Sequence, residues 1–563
     1  MSAHLYALTH GTLGIEVGYA LAFVGVLTGL VRGRAPPGKL LGSPLIALLA
    51  LLAAAVVTSL LNLVLPGSSE GVLHMGLGLG VTLGIAYSMG RLYASCSQLV
   101  EEGVHRRGAV VSAVHPTSNS PSTALTLAGI PLSPEDETKH FKLIGTTGTG
   151  KSTAIREMLG AALARGDRAI IADPDGGYLA RFYDAGRGDV ILNPFDGEAR
   201  KWDLFGEITN DYDVEQLVRS LIPDGGEPDG TWNEYARTFV GAVVQQAIVA
   251  GARNDAELYR LLTSAPAEEL RVLLSGTAAG PFLEPGNEKM FGSVRSIASS
   301  AVRALKYTTR QQAAPFSVRR WVRDGAAGGA DGHGAEGNGG ALFLPYKAGE
   351  IAALRSMISA WMRIAIFEAM DRDEGDQRLW FVIDELDALG EIDGLKDALA
   401  RLRKFGGRCI LGFQSIAQVS GTYGKGTAET IVENCGNTLI LRCSASEHGG
   451  TSEFASKLIG QREVLHTTRS RTRRPNEWFS STTSSEHLKI EPAIMASEIE
   501  RLADLTGYLK LASVPDWQAV RLTPMSGSAP LRPRRPSLVV PPTPAASQPI
   551  AAAAGGRKRS KRT

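Results

Sequence analysis

Residues 145–152 read Gly-Thr-Thr-Gly-Thr-Gly-Lys-Ser, a complete G-x-x-x-x-G-K-[ST] phosphate loop. Gly145, Gly148 and Gly150 let backbone N–H groups approach a phosphate and turn inward on it, with Thr146, Thr147 and Thr149 between them. Lys151 supplies a point charge for the β and γ phosphates, and the Ser152 hydroxyl suits Mg²⁺. The stretch decides the fold because it works only between a strand and a helix. Phe141-Lys142-Leu143-Ile144 is a short apolar strand candidate, and Thr153 opens a helix-like run to Leu159. A Gly-rich turn, the competing reading, needs neither flank. ATP and Mg²⁺ are the expected cofactors.

A phosphate loop needs a partner strand carrying acids. Residues 379–385, Leu-Trp-Phe-Val-Ile-Asp-Glu, form an apolar run that ends in two carboxylates. On a central parallel strand such a run is buried on both faces, and the acids emerge at the carboxyl edge where the phosphate loop also sits. Asp384 is the expected metal-positioning acid, with Ser152, and Glu385 the group that polarises attacking water. A strand merely ending in solvent also allows Asp-Glu, but the phosphate loop argues against it. Cys409–Phe413 is a further apolar strand with Gln414 at its end, and a helix over Ala398–Lys404 carries Arg401, Arg403 and Lys404. From the residues alone two readings stand: a γ-phosphate sensor and a trans-acting arginine, or a strand-end cap and a solvated basic face.

With 563 residues there is room for two or three soluble units beside a membrane part. The net charge of +2 leaves any nucleic-acid affinity to local patches. Cys96, Cys409, Cys435 and Cys443 show no metal-ligand spacing and read as reduced thiols.

The first ninety residues differ from the rest. Pro44–Leu65 is uncharged, apolar and of spanning length; Gly71–Gly90 is uncharged and glycine-rich; Thr12–Val31 is a third span candidate with Glu16 near one end. A signal peptide competes for the last segment, but it lacks a basic start and a cleavage site. Gly76, Gly80 and Gly84 predict a smooth stripe for close helix packing. Arg32, Arg34 and Lys39 in one loop, and Arg91, Arg106 and Arg107 after the third span, put the large domain in the cytoplasm; Pro66–Glu70 carries no cation.

From Phe141 the chain alternates strands and helices, with strands expected at Phe141–Ile144, Arg168–Ala172, Asp189–Leu192, Ala341–Pro345, Leu379–Asp384, Arg408–Phe413, Thr438–Arg442 and Tyr508–Val514. Asp211–Trp321 is helical in pattern. The expected organisation is a membrane anchor of two or three spans (1–95) and a linker or β-rich lead-in (96–140). An α/β motor domain (141–205 and 322–524) follows, interrupted by an all-α insertion (206–321) that returns through a Gly-rich loop. The basic Pro/Ala-rich tail (525–563) is expected to be disordered.

This arrangement resembles the TraD/TrwB-type coupling proteins of conjugative type IV secretion. The shared signatures are Gly145–Thr153, Asn193-Pro-Phe-Asp196, Trp202-Asp-Leu-Phe205 and Trp232-Asn-Glu-Tyr-Ala-Arg237. Phe343-Leu-Pro-Tyr346, Phe381-Val-Ile-Asp-Glu-Leu386 and Gly412-Phe-Gln-Ser415 complete the set. The resemblance implies a RecA-like motor with an inserted all-α domain behind a transmembrane region. It further implies a homo-hexameric, ATP-driven DNA pump at the bacterial inner membrane, multi-pass with its motor in the cytoplasm, linking a relaxase and single-stranded DNA to the secretion channel. It makes Arg403 the trans-acting arginine and Gln414 the γ-phosphate sensor. It also sets the helical domain against DNA, although Trp232 and Tyr235 read better as core. Arg469, Arg471, Arg473 and Arg474, in a polar stretch ending near Trp478, form a loop that is either solvated or in contact with phosphates. A chromosome-partitioning translocase is the rival motor, without a large helical insertion; a non-catalytic recruitment platform is the rival of another class.

Overall fold

In the computed structural model the described residues are 12–33, 35, 37–64, 72–95, 101–113, 125–223, 230–325, 340–371, 378–447, 449–472 and 481–524. The tail beyond 524, the connection Pro66–Glu70, Cys96, Arg34, Arg473, Arg474 and Trp478 lie outside them. So does most of the Gly-rich return loop.

The chain divides into two compact units, residues 1–106 with 463–489, and the remainder. The first contains helices α1 (Thr12–Arg32), α2 (Ser43–Val64) and α3 (Val72–Ser95). Among the described residues, Ile15–Arg32 and Leu40–Leu60 are long and apolar enough to cross a membrane. α3, expected as a third span, is a helix of 24 residues, long enough to cross a membrane. The glycine contact is not where the four-residue repeat placed it. Nothing lies within 4 Å of a Cβ on Gly76, Gly80 or Gly84. Instead Gly25 and Gly29 of α1, and Gly33 just past its end, meet Ala86, Tyr87 and Ala94 of α3, and Gly90 meets Val26. Absent side chains let the two backbones approach.

A three-stranded sheet joins Glu101–Gly108, Gln461–Thr472 and Ser481–Pro492, in the order first, second, third. Arg469 and Arg471 therefore lie on a strand, not in the loop that their polar context suggested. Alternation of polar residues without glycine or proline suits an extended ribbon as well as a loop.

The second unit is built on a ten-stranded sheet. Its strands are β1 (Val111–Ala113), β2 (Phe141–Ile144), β3 (Arg168–Pro174), β4 (Val190–Ile191), β5 (Ala341–Tyr346), β6 (Leu379–Ile383), β7 (Gly407–Phe413), β8 (Asn437–Ile440), β9 (Thr506–Lys510) and β10 (Trp517–Arg521). The order is β1-β10-β9-β8-β2-β7-β6-β3-β5-β4. From β8 to β4 all neighbours run parallel, and β9 and β10 add antiparallel strands at the other side. β2, β5, β6 and β7 are buried along their whole length, as expected for parallel strands covered by helices on both faces. The expected strand Tyr508–Val514 is shifted: it ends at Lys510, whose ammonium bonds the Val514 carbonyl at 2.6 Å and also that of Pro515, tying a turn that leads into β10. The lead-in before β2 holds a two-strand turn, Thr126–Leu127 with Ile130–Pro131. It is clamped by the Glu157 carboxylate of helix α4 (Lys151–Ala164), which accepts from Thr126 Oγ1 and the Ala128 and Gly129 N–H groups.

Between β4 and β5 the chain makes a helical excursion whose longest members are α5 (Asp211–Leu221), α6 (Gly230–Val249) and α7 (Glu288–Ala301). Phe239 and Phe291 meet edge-on at 5.2 Å in its core. The neck is tied twice. Lys201–Trp202 pairs in parallel with Pro315–Phe316, and buried Glu207 accepts from Trp202 Nε1 and caps the returning helix through the Val318 and Arg319 N–H groups. Tyr235 packs against the core as expected, but Trp232 is 38% exposed, held edge-on to Tyr235 at the first turn of α6. A residue in the first turn has only one flank of the bundle to pack on. Cys409, Cys435 and Cys443 are free and buried.

Candidate nucleotide site

The parallel register sets the site. Ile144 pairs with Phe413, and Ile383 pairs with both Leu411 and Ala172, so β2, β7, β6 and β3 end at one edge. The phosphate loop, Asp384, Glu385 and Gln414 follow these ends directly, and Asp173 is the next-to-last residue of β3. Gly150, immediately before α4, has a φ of 118°, and Gly148 has 79°, both left-handed-side values that a side chain would strain. Space above Gly148 is open to 4 Å.

Within the loop, the Lys151 ammonium donates to the Gly145 carbonyl at 2.6 Å and to that of Thr146 at 3.3 Å. Burial lowers its pKa, and the nearby Asp384 and Glu385 carboxylates act against that shift. Ser152 Oγ donates to Asp384 Oδ2 at 2.6 Å, so the two groups expected to share a metal already touch. Glu385 accepts from Gln414 Nε2 at 2.9 Å, and Gln414 Oε1 accepts from Thr147 Oγ1 at 2.8 Å. A loop threonine, the strand-end glutamine and the second acid are thus one chain of bonds. Burial raises the Glu385 pKa, the Gln414 bond lowers it, and Asp384 raises it again.

Three neighbours are not among the site residues expected from the sequence. Tyr178, buried, donates its phenol to Asp384 Oδ2 at 2.7 Å. Asp173, at the end of β3, accepts from the Tyr178 and Leu179 N–H groups, and burial pushes its carboxyl up to about 7. Tyr346 ends β5 with a buried hydroxyl that has no hydrogen-bond partner. Burial and then Glu385 raise its pKa. Asp173 shared the signal that found Asp384, an apolar strand ending in an acid; the tyrosines are brought in only by the turn after β3 and by β5.

Gly412 is the closest packing point. A Cβ there would fall on the Asp384 carbonyl oxygen and lie 3.0 Å from its carbonyl carbon, and backbone cannot swing aside. Gly412→Ala is expected to destabilise the protein by about 1–3 kcal/mol and displace Asp384. Thermal unfolding together with Mg²⁺-dependent nucleotide binding checks this; unchanged binding at wild-type melting temperature would contradict it.

Arg403 is elsewhere. The helix expected over Ala398–Lys404 is an α-helix, α8 (Leu395–Arg401), that tightens into a 3₁₀ turn at Leu402–Phe405, and Arg403 is exposed on that turn. The turn feeds the start of β7, so the length of that strand, about 20 Å at ~3.3 Å per residue, separates it from its own phosphate loop.

A model of the type IV secretion-system coupling protein DNA-binding domain matches residues 124–523. Coupling protein TraD of Escherichia coli (strain K12) is 29% identical over 402 residues, 71% of this chain and 54% of that protein. The match thus spans about half the length of that curated relative. Plasmid coupling protein TrwB in complex with ADP and Mg²⁺ has the same fold, with a TM-score of 0.65 at 29% identity over 78% of this chain and 97% of that one. TrwB in complex with the non-hydrolysable ATP analogue ADPNP gives 0.63 at 29% identity, over 77% and 95%.

Proposed function

The chain belongs to the type IV secretion-system coupling protein family, and we propose that it is a membrane-anchored ATPase that drives DNA toward a type IV secretion channel in conjugative transfer. The observation that carries this is the meeting of phosphate loop, Ser152–Asp384 pair and Glu385–Gln414–Thr147 chain at one sheet edge.

The residues fit ATP with Mg²⁺, as bound ADP and Mg²⁺ in TrwB suggest. Gly145 to Thr153 would cradle the phosphates, with Lys151 leaving its carbonyls for the β and γ oxygens. Ser152 and Asp384 would hold Mg²⁺, which would supply positive charge against the phosphates. Tyr178 fixes the Asp384 rotamer. Glu385 is the base for the attacking water, and Gln414, bonded to both Glu385 and Thr147, senses whether the loop is filled. Arg403 completes the site of a neighbouring copy in a homo-hexameric ring, because its own site lies at the far end of β7.

The division of labour in this reading is an anchor at 1–95 and a motor at 141–205 and 322–524. The helical domain at 206–321 faces DNA, single-stranded during transfer. The anchor is multi-pass in the inner membrane with the motor in the cytoplasm, and the partners are a relaxase and the secretion channel. The test is ATP hydrolysis by the full chain in detergent, with and without single-stranded DNA, across protein concentration. The expected result is turnover that DNA stimulates and that rises more than linearly with concentration. Bound nucleotide without turnover would instead mark a recruitment platform.

A further inference from the structure

We propose that His140 and Arg408 are positioning residues for Arg403, pinning both ends of the exposed turn that carries it. The proposal rests on the reading of Arg403 as a residue that acts on a neighbouring copy's nucleotide.

Both side chains are buried at the amino edge of the sheet, 1% and 2% exposed as whole residues. His140 Nε2 lies 2.9 Å from the Leu399 carbonyl on α8, and its Nδ1 accepts the Cys409 N–H at 3.1 Å. That acceptor role places the ring proton on Nε2, where it is donated to Leu399. Cys409 stands one residue before the register β7 shares with β2, which begins at Ile410 and Phe141, so the ring replaces a ladder bond there. Burial, with the Arg403 and Arg408 cations, pushes the imidazole down to about 4, so it stays neutral and keeps this pattern.

The other end of the turn is held by Arg408. Its Nη1 donates to the Gly406 carbonyl at 2.6 Å, while Nε donates to Glu137, which Arg165 also engages. Gly406 itself closes the 3₁₀ turn, with its N–H on the Leu402 carbonyl and a φ of 74°. Between the two pins only Leu402 is fully buried, and Arg403 and Lys404 point outward.

His140 also adopts a left-handed backbone, φ 55°, with its carbonyl accepting the Asn437 N–H and Nδ2. A non-glycine residue in that region is held there by its surroundings. It is followed at once by β2, which runs to Gly145. One rigid strand therefore joins the pin on the arginine turn to the phosphate loop of the same chain. A short turn on two fixed carbonyls presents its arginine with little freedom, which is what a group reaching a neighbour's transition state requires.

The experiment mixes full-length variants in detergent and reads ATP turnover, with binding of a fluorescent ADP analogue measured for each alone. His140→Asn tolerates the left-handed backbone and can still accept from Cys409, but is too short for Leu399; His140→Gln keeps a donor at that reach. Arg408→Met keeps the stem and loses the Gly406 bond. His140→Asn and Arg408→Met are expected to lose about 10- to 100-fold in turnover with ADP affinity within about twofold of wild type. Mixed with Lys151→Ala, which has a dead pocket but an intact Arg403, each should regain activity well above the sum of the two. Mixed with Arg403→Ala, neither should. His140→Gln should keep most of the wild-type rate. Wild-type turnover in His140→Asn or Arg408→Met, or recovery with Arg403→Ala instead of Lys151→Ala, would overturn the proposal. If one variant does not fold, the other decides alone. If Arg403→Ala itself is not rescued by Lys151→Ala, the reading of Arg403 fails, and that result is separate from any defect at His140.

Discussion

Glu385→Gln is expected to lower ATP turnover by about 10²- to 10⁴-fold while nucleotide affinity stays within a few-fold of wild type. The substitution is nearly isosteric, and the amide can still meet Gln414 after a flip, so the half-buried site keeps its packing. What it removes is a carboxylate whose pKa burial and Asp384 raise, a direction that makes it a better proton acceptor than an exposed glutamate. Steady-state hydrolysis at saturating ATP, beside equilibrium binding of a fluorescent ADP analogue, separates the two quantities. Near-wild-type turnover would remove Glu385 from the chemistry and leave the phosphate loop as a binding device.

Arg403→Ala is expected to cut turnover by about 10³- to 10⁵-fold, the range for loss of an arginine that neutralises transition-state charge. Its side chain is exposed and about a strand's length, ~20 Å, from the phosphate loop of its own chain. Local stability and binding of nucleotide to the same chain should therefore be almost unaffected. The defect should also be insensitive to added Mg²⁺, unlike that of an Asp384 variant. A matching loss of nucleotide affinity in purified Arg403→Ala would mean that the residue supports its own fold instead of acting on a neighbour.

The legible part of the site was the part written in contiguous stretches. Gly145–Ser152 names its own geometry, and Leu379–Ile383 followed by Asp384 is a buried parallel strand with acids at its end because no other element tolerates that pattern. The helical excursion was visible for the same reason, as a long run of helical periodicity between strands. Strand ends were harder. Thr506–Lys510 lies earlier than the expected Tyr508–Val514 because Lys510 is tied into a turn by carbonyls that follow it, a local bond that a hydrophobic run does not encode. Trp517–Arg521 carries no alternation to mark it as a strand, since its buried residues, Trp517 and Val520, are three positions apart. The strand carrying Arg469 and Arg471 is hidden in the sequence because a polar ribbon lacks the apolar alternation that marks a half-buried strand. In the anchor, glycine spacing was the right signal read on the wrong helix: a four-residue repeat occurs near both Gly29 and Gly80, and only the pairing of α1 with α3 shows which face is used.

By itself the sequence determined which chemistry is present: a phosphate loop, two acids at a strand end, a glutamine on the next strand and apolar helices ahead of them. Each is a local pattern whose physical demand, glycine where backbone must approach or apolar residues where both faces are covered, is met within a few neighbours. Only the tertiary structure decided who meets whom. Tyr178 reaches Asp384 across 206 positions, Gln414 reaches Thr147 across 267, and His140 reaches Leu399 across 259. Those meetings depend on the strand order β2-β7-β6-β3, in which only β6 and β7 are consecutive along the chain. That order is set by the packing of whole strands and helices, a sum of many weak contacts that no short stretch of sequence carries.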